Sequence, residues 1–326
     1  MRKRIAHRLA QALVSLLAIS MLVFVAVYMV GEPAALYDPL VRTDPQRLAA
    51  LRAQLGLDRP LYLQYLGFLS ELLRGDFGTS WVYQEPAMQV VFRRLPATLE
   101  LVALAMLLAL ALGFPLGLIA GLRSQRWPGA LIVRLSILGY STPTFWIGLV
   151  LIYVFAVNLD WLPALGRGDT VTLLGAEWSL LTADGLRHLW LPAVTLAFYE
   201  IGYFARMTAT MTQETLPLTY IQFARAKGLT ERQVIRHHLL KPVSIPLVTI
   251  AAIETGTLVA GSVITETVFG WPGVGKLLVD SVAALDRPVI VAFVMVTASL
   301  FLLLNLCADL LQAWLDPTLQ EQGALQ

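Results

Sequence analysis

FARAKGLTERQVIRHHLLKP, residues Phe223 to Pro242, is a basic stretch set between two long apolar ones. Thr219 to Lys227 has helical composition, and Gly228 can close that helix in a left-handed turn. Thr230, with Gln233 three residues on, makes a capping box for a second helix. Pro242 predicts that this helix stops at Lys241. Val234, Ile235, His238 and Leu239 line one side of it, with Arg232 and Arg236 elsewhere on its surface. The stretch reads as a charged helical hairpin inserted in a chain otherwise built for lipid.

The rest of the chain supplies that contrast. Of its 326 residues, 57% are hydrophobic and 14% charged, against about 25% charged in an ordinary soluble domain. Six apolar runs stand out: Leu9 to Val30, Leu99 to Leu122, Leu135 to Val157, Leu189 to Met211, Val243 to Ile264, and Val289 to Trp314. Each is long enough to cross a hydrocarbon core as a helix. Lipid offers no partner to a backbone amide, so helices are the form such runs take. The expected fold is an all-α polytopic membrane protein of six transmembrane helices. The first run follows Arg2, Lys3, Arg4 and Arg8, as a signal peptide would. It is longer than the usual apolar core of about 7–15 residues, and no clear small-x-small cleavage site follows. It reads as a retained anchor.

Basic residues orient the bundle. With the N-terminus inside, Arg2, Lys3, Arg4 and Arg8, then Arg123, Arg126 and Arg134, then the hairpin, all fall on the cytoplasmic side. The opposite segments mix signs, with Asp160, Asp169, Glu177 and Asp184 against Arg167 and Arg187. This asymmetry follows the positive-inside rule; Arg93 and Arg94, just before the second run, run against it. Six spans return the C-terminus to the cytoplasm, in an inner (plasma) membrane.

The segment between the first two runs has helix signals of its own. Asp44-Pro45 followed by Gly56 gives an N-cap, a proline at the first helical position and a glycine stop. Asp58 and Pro60 open a second helix, with Leu61, Tyr65, Phe68, Leu69 and Leu72 on one stripe, closing near Gly75. The expected organisation is an N-terminal tail and first span over 1–30, and an extracytoplasmic helical cap over 31–95. Five further helices follow over 96–314, with the basic hairpin at 216–242, and a cytoplasmic tail over 315–326.

Several apparent motifs carry no chemistry. GWPGVGKL, Gly270 to Leu277, approaches the phosphate loop G-x-x-x-x-G-K-[ST], but Leu277 stands where a hydroxyl would hold Mg²⁺. The expected topology also puts this loop outside. Asp76-Phe77-Gly78 lacks the other kinase elements. His237 and His238 point about 100° apart on a helix. Neither H-E-x-x-H nor G-x-S-x-G occurs, so a polytopic membrane enzyme has no constellation to stand on. The one cysteine, Cys307, reads as a small packed hydrophobe. Neither a cofactor nor a metal is expected. Gly113, Gly117 and Gly121 recur every four residues, which is a smooth face for close helix packing. Pro115 and Pro143 are expected to kink the second and third spans.

On pattern alone the hairpin has three readings: a DNA-binding helix-turn-helix, a helix lying on anionic lipid, or a docking element for a cytoplasmic partner. Tethering between two spans disfavours the first. The hairpin resembles the coupling loop of type I ABC importer permeases, whose pattern is E-A-A-x3-G-x9-I-x-L-P. The chain keeps Ala224, Gly228 and Leu240, and departs at Gln222, Phe223, His238 and Lys241. The wording from Ala224 to Leu229, ARAKGL, is similar to the oligopeptide/dipeptide branch. LGLDRPLYLQYLGFL (Leu55 to Leu69), RGDFGTSW (Arg74 to Trp81), ETVFGWPGVGKLLVD (Glu266 to Asp280) and DLLQAWLDP (Asp309 to Pro317) resemble the B-type permease of peptide importers.

The resemblance implies a permease subunit forming half of a translocation pathway for peptides or similar small solutes. Glutathione and metal chelates, nickel among them, are the other solutes of the branch. It further implies a second permease subunit, two ATPase subunits or domains and an extracytoplasmic solute-binding protein, with no ATP chemistry on this chain. It carries ATPase coupling onto Ala224, Arg225, Lys227, Gly228, Leu229 and Leu240. A passive channel would leave the hairpin without a partner. Two acids lie outside the resemblance: Glu200 mid-way along the fourth run and Glu254 mid-way along the fifth. Ionisable groups at that depth usually face the bundle interior or water. They are candidates for the solute path, or structural groups bonded to neighbours such as Tyr203 or Thr257.

Overall fold

The computed structural model of the protein describes residues 2–29, 46, 58 and 60–315. The helix expected between Asp44-Pro45 and Gly56, apart from Gln46, and the tail over 316–326 lie outside the described residues. The chain divides into two compact units, one of Met1–Arg93 with Asp280–Leu302, the other of Arg94–Val279 with Leu303–Gln326.

In the first unit, helix α1 (Arg2–Met29) packs against α2 (Leu61–Leu73). Helix α2 starts after Pro60, whose φ of −53° suits a helix entry, and ends before Gly75 at φ +75°. These are the bounds that proline and glycine set in the sequence. Part of its stripe does the packing, with Leu61 left exposed. Phe68 is buried with Val23, Phe24 and Val291, while Tyr65 and Leu72 close over them. The Phe24 and Tyr65 rings meet edge-on at 5.5 Å, and Tyr65 Oη lies 2.9 Å from Ser20 Oγ. A buried hydroxyl and a phenol thus satisfy one another inside an apolar contact.

The second unit is a helical bundle. Helix α3 (Ala87–Leu122) runs unbroken through Pro96 and Pro115. Pro143 acts differently. Helix α4 (Trp127–Ser141) ends, Thr142 is extended at ψ 133°, and α5 (Thr144–Leu151) starts afresh. The residue before a proline is driven out of the helical region, and α4 and the helical stretch Thr144–Asn158 meet at 99°. The run read as one straight span with a kink is therefore a broken one. A π-helical turn, Ile152–Asn158, completes it, followed by a hairpin of β1 (Val171–Leu173) and β2 (Ala176–Trp178).

Helix α6 (Ala183–Thr215) is the centre of this unit, packed by α4, α5 and α9 (Leu240–Val268). Sixteen of its residues are buried. The glycine stripe of α3 meets it too. A Cβ on Gly113 would stand 2.9 Å from Phe204 Cβ, one on Gly117 2.5 Å from Thr208 Cβ, and one on Gly121 2.5 Å from Thr212 Cβ. Such approaches need hydrogen where other residues carry carbon, and the stripe is bundle packing.

Helices α7 (Thr219–Ala226) and α8 (Glu231–Val234) form the basic hairpin ahead of α9. Helix α10 (Val274–Ala283) and α11 (Arg287–Leu315) complete the chain's described helices. By length and apolarity, four helical stretches among the described residues can each cross a membrane: His7–Ala26, Ala87–Leu122, Glu231–Val268 and Arg287–Gln312, with the bent pair as a fifth. Helix α6 is not among them. A central helix sheathed by its neighbours needs less apolar character than one facing lipid, and α6 carries Glu200, Tyr199, Tyr203 and several threonines.

Candidate functional site

The hairpin is a small folded unit with its own core. Ile221 and Ala224 of α7 and Val234 of α8 are buried together, with Leu229 of the turn packed against them. Ala224 is therefore small because α8 lies against it. The turn forms as the sequence dictates. Gly228 sits at φ +83°, and a Cβ there would meet nothing within 4 Å, so only the backbone conformation demands glycine. Thr230 and Gln233 make both halves of the capping box. Arg225 spans the turn to Glu231 through Nε–Oε1 at 2.8 Å and a second nitrogen to Oε2 at 3.2 Å. Lys227 rests its ammonium 4.7 Å from the centre of the Phe223 ring. Arg225, Lys227 and Gly228 are exposed, Leu229 and Leu240 half-buried, and Phe223 stands 60% exposed.

Pro242 does not stop the second helix. The helical path continues from Glu231 to Val268, and the stress of the proline is taken upstream, where Ile235–Leu239 widens into a π-turn. A proline within a helix lacks an amide and crowds the carbonyl four residues back, here that of His238. A local π-bulge relaxes that crowding without ending the helix. The hairpin is thus joined to a membrane helix through one wide turn, with Leu240 as the first residue of α9.

Glu200 and Glu254 come together inside the bundle. They lie on the packed pair α6 and α9, within electrostatic reach of one another and of Tyr199 and Tyr203. Glu200 is 2% exposed and its Oε2 has no hydrogen-bond partner among the described residues. Glu254 is half-buried. A carboxyl oxygen buried without a partner costs about 1–3 kcal/mol, so Glu200 is the kind of group a fold retains for something other than stability.

Three other buried carboxylates escaped the sequence reading as individuals. Glu266, 0% exposed, fills the near-phosphate loop with its own side chain. Thr98 Oγ1 donates to its Oε1 at 2.6 Å, Ser262 Oγ at 3.0 Å, and the amides of Gly275 and Lys276 point at it, that of Lys276 at 2.9 Å from Oε2. A Cβ on Gly273 would collide with the carboxylate. The glycines let backbone amides close around acceptor oxygens as a phosphate loop's do, and here the acceptor is the chain's own carboxyl group. Glu100 does the same for the loop after α5. It accepts from Arg167 Nε at 2.8 Å, Ser179 Oγ at 2.6 Å and the Ser179 amide at 2.9 Å. In the other unit, Asp286 accepts from Ser80 Oγ and from the amides of Trp81 and Val82 at 3.2 and 3.3 Å. For Glu266 the signal was present: an acid at the end of an apolar run, followed by a glycine-rich turn.

Comparison with known proteins agrees with this architecture. Residues 113–321 match the family model of the binding-protein-dependent transport system inner membrane component, and residues 1–102 match the N-terminal model of such membrane components. A di/tripeptide transport system permease protein of Pseudomonas aeruginosa is 36% identical over 98% of both chains. A glutathione transport system permease protein of Salmonella paratyphi A is 37% identical over 96% of this chain and 97% of its own. A probable D,D-dipeptide transport system permease protein of Escherichia coli is 39% identical over 87% and 91%. Among solved structures, the inward-facing MetNI methionine ABC transporter shares the fold with a TM-score of 0.54 at 19% identity, covering 70% of this chain and 97% of its own. The protein is a multi-pass inner membrane transport subunit and no enzyme: it belongs to the binding-protein-dependent transport family as a type I ABC importer permease of the peptide branch.

Proposed function

We propose that the chain forms half of the translocation path of an ATP-driven importer for peptides or small peptide-like solutes. Its relatives named for di/tripeptides, D,D-dipeptides and glutathione favour that solute class over metal chelates. The working assembly pairs it with a second homologous permease, two ATPase subunits or domains and an extracytoplasmic binding protein. Six crossings build it: α1, α3, the broken pair α4–α5, α6, α8–α9 and α11. The segment over 31–95 is an outer cap, the transmembrane domain runs over 96–314, and both termini, with the tail over 315–326, are cytoplasmic.

The hairpin over 216–242 is the handle. Its self-contained core leaves Phe223, Arg225 and Lys227 on the surface while one wide turn joins it to α9. ATP binding closes the ATPase pair, the handle moves, and the bundle shifts between accessible states. Nucleotide drives that shift only by its differential affinity for the two states. Glu200 and Glu254 lie on the path as counter-charge for a solute's amino group.

Purifying the complex with its binding protein and identifying the carried solute by mass spectrometry tests the class; a peptide or glutathione supports it, and a metal chelate overturns it. Orientation is tested by single cysteines in a Cys307→Ser background. Thr79→Cys and Thr170→Cys react with an impermeant thiol reagent in intact cells, and Ser124→Cys reacts only after lysis. Reaction of Ser124→Cys from outside inverts the topology.

A further inference from the structure

Helix α6 carries a row that stays outside the buried core of the bundle. Tyr199, Tyr203 and Arg206 fall at i, i+4 and i+7, so they share one helix face. Tyr140 of α4 joins them. Its ring meets that of Tyr199 at 6.4 Å, nearly edge-on, and the Arg206 guanidinium carbon lies 5.1 Å from its centre. Tyr199 and Arg206 are exposed on this chain, and Tyr203 is half-buried. Beside the row, Glu200 turns an unpartnered oxygen into the bundle with Glu254 in electrostatic reach. The arginine is permanently charged, and a face holding it is poorly suited to lipid.

The charges are separated along the helix. Arg206 lies six residues beyond Glu200, roughly 9 Å along the helix axis at a rise of about 1.5 Å per residue and about 120° around it. An extended peptide spans about 3.3–3.6 Å per residue, so two or three residues cover that distance. We propose that Arg206, steadied by Tyr140, receives the terminal carboxylate of a short zwitterionic peptide whose amino group lies towards Glu200 and Glu254. Arg206 is then a specificity-determining residue, and the row selects solutes with both ends free and about two or three residues long. This rests on the reading of Glu200 and Glu254 as path residues.

The test uses the complete transporter, with its binding protein, in proteoliposomes. Three probes are compared: trialanine, its C-terminal amide and its N-acetyl form, each rate normalised to the amount loaded on the binding protein. The proposal expects Arg206→Gln to lower the ratio of trialanine to amide uptake by about tenfold or more, the scale of losing a charge-assisted bond. Arg206→Lys, which keeps the charge, retains most of that ratio. Glu200→Gln with Glu254→Gln lowers instead the ratio of trialanine to its N-acetyl form. Equal loss for all three probes in Arg206→Gln, or an unchanged ratio, overturns the role of Arg206 while leaving peptide import standing. Absence of uptake of any probe by the unaltered complex overturns the peptide reading and this inference with it.

Discussion

Glu266 and Arg225 each tie a turn to a helix through charge-assisted hydrogen bonds, under opposite conditions. Glu266 is fully buried and binds two hydroxyls and two amides. Arg225 and its partner Glu231 are exposed, with side chains 40% and 63% accessible. Water competes for the second tie and not for the first. The corner at Glu266 is built to hold one geometry. The hairpin gains its shape from a few apolar residues and turn chemistry, and its charged side chains stay exposed.

That contrast breaks if the two regions respond alike to mutation. The largest effect is expected from Glu266→Ala, which orphans Thr98 Oγ1–H and the α10 amides at once, while Ser262 keeps the Val259 carbonyl. At about 1–3 kcal/mol per orphaned buried donor, partial relaxation leaves a loss of roughly 3–5 kcal/mol. Thermal unfolding of the purified protein in detergent reads it directly, and an unchanged midpoint means that the corner carries no stability.

Gly117→Val comes next and asks whether close packing away from the carboxylates is equally unforgiving. Its added carbons meet Thr208 and the Ala205 carbonyl, and overpacking of this kind costs typically 1–3 kcal/mol. The same unfolding measurement checks it, and a neutral result means that α3 and α6 can part easily.

At the hairpin the order of effects reverses: function goes before stability. Gly228→Pro forces φ from +83° to about −65°, which destroys the turn while leaving the bundle's apolar contacts in place. Membrane insertion and melting are expected to stay near those of the parent, with transport uncoupled from ATP hydrolysis. Normal transport and normal capture of the ATPase remove the handle. The smallest effect is expected from Arg225→Ala, about 0.2–1 kcal/mol for an exposed pair, shrinking as salt is added. A loss above about 2 kcal/mol makes the Arg225 tie as structural as the Glu266 one.

Much of this fold is written in short-range chemistry. The turn at Gly228, the capping box at Thr230, the entry to α2 after Pro60 and its exit at Gly75 each depend on neighbours a few residues away. Conformational preference acts at that range, so the sequence alone shows them. Pro143 and Pro242 illustrate the limit. Pro143 predicts a kink and Pro242 a stop, yet α4 and α5 separate at 99° while α8 runs on into α9 through a π-turn. A proline determines that a hydrogen bond is lost; the surroundings decide whether the chain breaks or widens.

The site divides along the same line. Ala224 is legible as a small residue in a coupling motif, while its burial against Val234 needs α8 folded back upon it. Glu200 and Glu254, 54 positions apart in sequence, could be picked out singly as costly acids in apolar runs. Only the packing of α6 on α9 makes them neighbours, and only α4 brings Tyr140 to Arg206. By itself the sequence determined a membrane-embedded helical chain, the hairpin's turn and caps, and the stripe of glycines. The tertiary structure decided which acid meets which donor and which charge stays unmatched. The long-range pairings form across about 50 to 206 residues, and no local preference specifies a partner at that distance.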